Sequence, residues 1–171
     1  MSRNMPLMHC GRKQLTPEIV FSILVSPNCP DLKRVSPSTA IQYDFGTCAA
    51  LCARIPTRYL NAALLKFARD DSKIKDLGYQ LHAEASRIAV QEGWIIPVGS
   101  ERLKKYSELA LCEMLSPKNF RADEIKSAAM GVTMHAWKKY IRRQYEAIYS
   151  ELDNWCSIAY DSVSKQLKIA S

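Results

Sequence analysis

The stretch from Arg121 to Arg143, RADEIKSAAMGVTMHAWKKYIRR, decides how this chain is read. A helical segment, Arg121 to Ala129, small on one side through Ser127, Ala128 and Ala129, runs into Met130-Gly131-Val132. Glycine there supplies the backbone freedom that a tight corner needs. Thr133 follows as the N-cap of a second helix, since its hydroxyl can accept from an unpaired amide of the first turn. Trp137 and Ile141 then point back into the helix pair, while Lys138, Lys139, Arg142 and Arg143 spread over the outer side. The pattern predicts a helix-turn-helix. Such a corner holds the second helix so that its first side chains reach base edges in the DNA major groove and its cations reach phosphates. Thr133, Met134, His135, Lys138, Lys139 and Arg142 are the expected contact positions, and Arg143, Arg121 and Lys118 complete the DNA-binding set. Lys126 occupies a place where such motifs bury an apolar side chain, so a rotated first helix with Ile125 turned inward is expected.

Charge agrees with this reading. From Lys118 to Arg143 seven cations face two acids, a net +5 within a chain whose formal net charge is +7. A basic excess of this kind selects anionic partners and says nothing about fold. Glycine-joined helix pairs are common, however, and a Lys/Arg-rich face is often only solvated. A pure protein-interaction module therefore stands beside the DNA reading, as does another helix-turn-helix regulator, an activator or repressor. RNA is the runner-up ligand. Single-strand readers present aromatics on an open platform, whereas Trp137, Tyr145 and Trp155 fall on the apolar stripe, leaving Tyr140 and Tyr149 as exceptions.

Downstream of the corner, Ile141, Tyr145, Ile148, Leu152, Trp155 and Ala159 recur at alternating spacings of 4 and 3 with no Gly or Pro to interrupt them. This is the seam of one long amphipathic helix. It serves either to pack on the rest of the chain or to form a homodimer or partner surface.

Upstream, Thr16-Pro17-Glu18 begins a helix: a Thr N-cap, Pro where its missing N–H costs nothing, and an acid at the positive end of the dipole. That helix is expected to end near Ser26-Pro27, followed by a Pro-containing loop to Ser38. Ile41, Phe45, Cys48, Cys52 and Ile55 then mark one face of a helix closed by Pro56. Further helices bury Leu60, Ala63, Leu64 and Phe67; then Ile74, Leu77, Leu81, Ala85, Ile88 and Ala89 before Gly93; then Leu103, Tyr106, Ala110 and Met114 after Ser100-Glu101. Trp94 to Gly99 reads as a buried connector or a very short strand. No alternating run of useful length occurs, so the chain is all-α with about six helices. It divides into a mobile basic arm (1–14), an N-terminal helical region (15–116) and the helix-turn-helix with its long helix (117–171), the last two sharing one core.

Length and composition narrow the class further. With 171 residues, 47% of them hydrophobic, the chain can bury a core without disulfides or a structural metal. The six Cys, at 10, 29, 48, 52, 112 and 156, form no CxxC pair, and Cys48 and Cys52 read as core thiols. No metal and no cofactor is expected. The apolar run Ile19 to Val25 is too short to span a bilayer and has no small-residue cleavage site behind it, so a cytoplasmic protein without a membrane partner is expected. The three His, at 9, 82 and 135, lie far apart, and no HExxH, GxSxG, GxGxxG or P-loop is present, so no enzyme is expected.

The segment Phe120 to Leu152, with Met130-Gly131-Val132, Trp137, Gln144-Tyr145-Glu146-Ala147 and then Leu152-Asp153-Asn154-Trp155, resembles the late-gene antitermination proteins Q of lambdoid bacteriophages. The likeness covers about the last third of the chain, with a looser similarity over Leu103 to Leu115. It implies a protein that binds double-stranded DNA beside a late promoter, engages bacterial RNA polymerase at a promoter-proximal pause and travels with it through terminators, in the cytoplasm of the host cell. Carried over by position, Thr133, His135, Lys138, Lys139 and Arg142 would read DNA and Trp137 would hold the motif together. Many members carry two zinc-binding CxxC pairs ahead of the helix-turn-helix. This chain has Ser116-Pro117-Lys118-Asn119-Phe120 there, so the resemblance implies no zinc.

Overall fold

The computed structural model describes residues 15–25, 45–94 and 100–169. The expected arm 1–14, the expected loop after Ser26, the start of the Ile41 face and most of the Trp94 to Gly99 connector lie outside them. Among the described residues all regular structure is helical. Helix α1 is Pro17–Val25, α2 Phe45–Cys52, α3 Thr57–Ala68, α4 Ile74–Gln91 after a 3-10 turn Asp71–Lys73, α5 Glu101–Leu115 and α6 Asp123–Met130. The last helix, α7, starts as Met134–Ala136, passes through a π-helical turn Trp137–Ile141 and continues as Arg142–Ile169. Among the described residues seven helices therefore stand where about six are expected.

Local chemistry sets most of these boundaries. The Thr16 carbonyl accepts from Val20 N at 3.1 Å, so α1 starts at the Thr-Pro step. Ser100 Oγ accepts from Leu103 N at 3.4 Å and caps α5. Gly93 takes φ +65° just past α4, with Trp94 N donating to Ala89 O at 2.9 Å, a left-handed stop that favours glycine. Helix α3 ends on Arg69 in the same region, φ +58°, without glycine's freedom. Its guanidinium compensates: Nη1 donates to Met114 O at 2.7 Å and Leu115 O at 3.0 Å, so one residue closes α3 and caps the C-terminus of α5. That contact holds the end of α5 from which the chain enters the basic corner.

Helix α7 is the central rod. Tyr145, Ile148, Leu152, Trp155, Cys156, Ala159 and Val163 are all buried, as the apolar stripe requires, against α3 with α1, α2, α4 and α5 around them. Each large apolar side chain so buried contributes about 1.5–3 kcal/mol before entropy is counted. The stripe is thus occupied by the chain's own helices. A homodimer through that seam would have to displace them, so it is not a free dimer surface. Two clusters make up the core, one around Trp137, Tyr145 and Trp155 and one around Phe21, Cys48 and Leu64, joined by Tyr59 and Phe67, which pack on both.

Cys48 and Cys52 are buried thiols, and burial pushes the Cys52 thiol up to about 11. Phe45, expected on the same face, is instead 49% exposed, because it stands at the first residue of α2, a turn ahead of the point where that face enters the core.

Candidate nucleic-acid interface

The corner forms where the sequence places it. Helix α6 closes on Gly131 at φ +68° and ψ +36°; Gly131 N donates to Ala128 O and Val132 N to Ser127 O, both at 3.0 Å. A Cβ on Gly131 would meet no atom within 4 Å, so the glycine is needed for its dihedral and not for space. Thr133 Oγ1 accepts from Ala136 N at 3.2 Å and caps α7. Ser127 Oγ lies 3.2 Å from Met134 Sδ across the turn, and its one hydroxyl proton is shared between that sulfur and Glu124 O at 3.0 Å within α6. The first helix begins two residues later than expected, at Asp123, and Met130 is its buried last residue rather than part of the turn.

Trp137 is fully buried against Tyr145, ring centroids 5.5 Å apart, and anchors α7 beneath the corner. Its Nε1 has no hydrogen-bond partner among the described residues. The π turn that begins at Trp137, with Arg142 N donating to Trp137 O, has no counterpart in the sequence reading, which expected an unbroken α-helix. Turns of this kind concentrate at functional sites, and this one carries Lys138, Lys139 and Tyr140 outward. Tyr140 is 60% exposed with the Lys139 ammonium 5.0 Å from its ring centroid. Tyr149, the other exception, is half-buried and packs on Tyr145 at 6.1 Å, so it offers no platform.

The expected rotation of the first helix does not occur. Ile125 is 45% exposed, and Lys126 lies inward with its ammonium 2.7 Å from Glu113 Oε1 on α5 and 5.2 Å from the Tyr145 ring centroid. Tyr145 Oη donates to Glu113 Oε2. Burial, then the bond to Glu113, raise the Tyr145 hydroxyl well above its ordinary value. A cation with a long apolar stem therefore fills the place of an apolar residue, because a partly buried carboxylate on α5 pairs with it there.

The nine expected contact residues separate into two groups. His135, Lys138, Lys139, Arg143, Arg121 and Lys118 are exposed and form no ion pair within the described residues. Lys139 and Arg143 lie four and eight residues beyond His135, so the three share one side of α7. The other three are engaged in structure. Thr133 spends its hydroxyl on the cap, Met134 is partly buried over Ser127, and Arg142 is held by Asp123 at 3.2 Å and Glu146 at 2.7 Å. The Arg142–Glu146 contact was legible as an i, i+4 spacing; the Asp123 contact was not.

No three His, Cys, Asp or Glu side chains gather to hold a metal among the described residues, and no described helix is long and apolar enough to cross a membrane. In comparisons with known proteins, the chain matches no family model, no curated protein and no solved structure.

Proposed function

We propose that this chain binds double-stranded DNA through the α6–α7 corner and acts as a transcription antiterminator, engaging bacterial RNA polymerase held at a promoter-proximal pause so that it reads through terminators. The observation that carries the DNA reading is the arrangement at the start of α7: a glycine corner, a side-chain N-cap, and an outer side bearing His135, Lys138, Lys139 and Arg143 without carboxylate partners among the described residues. A helix so presented meets phosphates with cations and base edges with its first turns. The antiterminator assignment rests on the resemblance of the segment from Phe120 to Trp155 to the lambdoid Q proteins. In this reading the protein works in the host cytoplasm.

The test is enrichment of binding sites from a random duplex pool at moderate salt, with a Lys138→Ala/Lys139→Ala/Arg143→Ala variant in parallel. Recovery of one motif by the wild type alone supports a sequence-specific reader; equal recovery by the variant sinks the assignment of the face. A transcription reaction with purified bacterial polymerase on a template carrying the recovered motif beside a promoter, a pause and a terminator then separates the regulator classes. Greater readthrough identifies an antiterminator, and changed initiation alone an activator or repressor.

A further inference from the structure

Arg142 sits among the cations of the outer side of α7 yet differs from its neighbours. Its Nη1 donates to Asp123 Oδ2 at 3.2 Å across the corner, and its Nε donates to Glu146 Oε1 at 2.7 Å one turn onward. Asp123 belongs to the first turn of α6, so the bond spans the helix-turn-helix. The guanidinium is half exposed and Glu146 more so, which leaves the group within reach of a ligand in solvent. Lys138 and Arg143, before and after it in sequence, meet no such carboxylate among the described residues. Two carboxylates on one guanidinium leave this part of the face with a net negative charge.

From this geometry we propose that Asp123 and Glu146 form a clasp that withholds Arg142 from DNA phosphates unless the duplex is seated on the corner. The proposal rests on the DNA-binding reading above. Binding to arbitrary duplex is driven by counterion release from phosphates, and a cation already neutralised by carboxylates adds nothing to it. A seated duplex can present a phosphate to the planar fork in bidentate geometry, which competes with two single bonds to carboxylates that solvent already reaches. Specificity is a difference of affinities, and weakening the wrong complex raises it as surely as strengthening the right one. Asp123 and Glu146 are positioning residues in this scheme; they touch Arg142 and not the DNA.

The experiment measures affinity of the full chain for a labelled random-sequence duplex across a salt series. The Asp123→Asn/Glu146→Gln variant is expected to bind roughly five- to tenfold tighter than wild type, with a log–log salt slope steeper by about one. Removing two negative charges could tighten binding without any clasp, so the same pair is placed in an Arg142→Ala background. There the gain is expected to shrink to the repulsion relieved by neutralising two unpaired carboxylates, and the steepening of the salt slope by about one is expected to be absent. An equal gain in the Arg142→Ala background overturns the clasp in favour of simple repulsion. Unchanged affinity in the double variant, with wild-type binding present, overturns the clasp and leaves the DNA reading standing. Absence of duplex binding by wild type and variant alike overturns both.

Discussion

The Lys126 ammonium lies 2.7 Å from Glu113 Oε1, with only 15% and 14% of the two side chains exposed, and this pair joins the first helix of the corner to α5. Tyr145 on α7 donates to the other oxygen of the same carboxylate. Three helices thus meet on one carboxylate.

Removing one member of that group leaves a charge without its partner in a largely dry place. Lys126→Met is expected to lower stability by about 2 kcal/mol, the scale of a lost hydrogen bond to a charged group. A Lys126→Leu/Glu113→Leu/Tyr145→Phe variant should recover most of that loss, since replacing all three members strands neither a charge nor the Tyr145 hydroxyl. Chemical denaturation of the three proteins checks it. Lys126→Met should also leave the DNA salt slope unchanged, because that cation faces inward.

Gly131→Ala is expected to cost about 1–2 kcal/mol through its left-handed backbone alone, because the added methyl group meets nothing. Gly131→Asn should cost less, asparagine tolerating that region better. Thermal unfolding of both variants decides this, and a smaller loss for alanine than for asparagine would contradict the dihedral explanation.

Trp137→Ala is expected to destabilise by about 3–5 kcal/mol, as deletion of a fully buried aromatic does. Trp137→Phe should cost far less than that. It keeps most of the ring's packing and removes a buried donor that has no partner among the described residues. Denaturant titrations with matched m-values would check the ranking.

Base should unfold the protein through its buried tyrosines. Burial, opposed only by Arg102, pushes the Tyr106 hydroxyl from 10.0 up to about 12, and Tyr145 is raised as well. A hydroxyl whose value is higher folded than unfolded binds its proton more tightly in the native state. Its contribution is therefore fully present below pH 10.0 and is lost as pH rises towards about 12. Tyrosinate absorbance followed together with helical circular dichroism tests this. The late-titrating tyrosines should ionise with loss of helix, whereas ionisation with helix intact would refute the coupling.

Much of the fold was legible because its determinants are local. The Thr16-Pro17 start, the Ser100 and Thr133 caps, the Gly93 and Gly131 stops and the stripe from Ile141 to Ala159 act through residues within one or two turns of each other. Composition and period therefore determined an all-helical chain with a glycine corner leading into a long amphipathic helix. What that stripe packs against could not be read from it, because a buried seam looks the same whether its partner is the same chain or another.

The candidate face was legible only in part, and for a related reason. Lys126, Arg142 and Lys138 look alike in sequence, each a cation near an apolar position. Their fates separate only when packing brings Glu113, thirteen residues away, onto Lys126, and Asp123, nineteen residues away, onto Arg142. Lys138 meets no such carboxylate among the described residues. Sequence by itself determined where the helices, caps and corner form, since backbone hydrogen bonding and turn sterics are settled among near neighbours. Only the tertiary structure decided which cations remain available, since charge pairing depends on distances through space that helix packing sets.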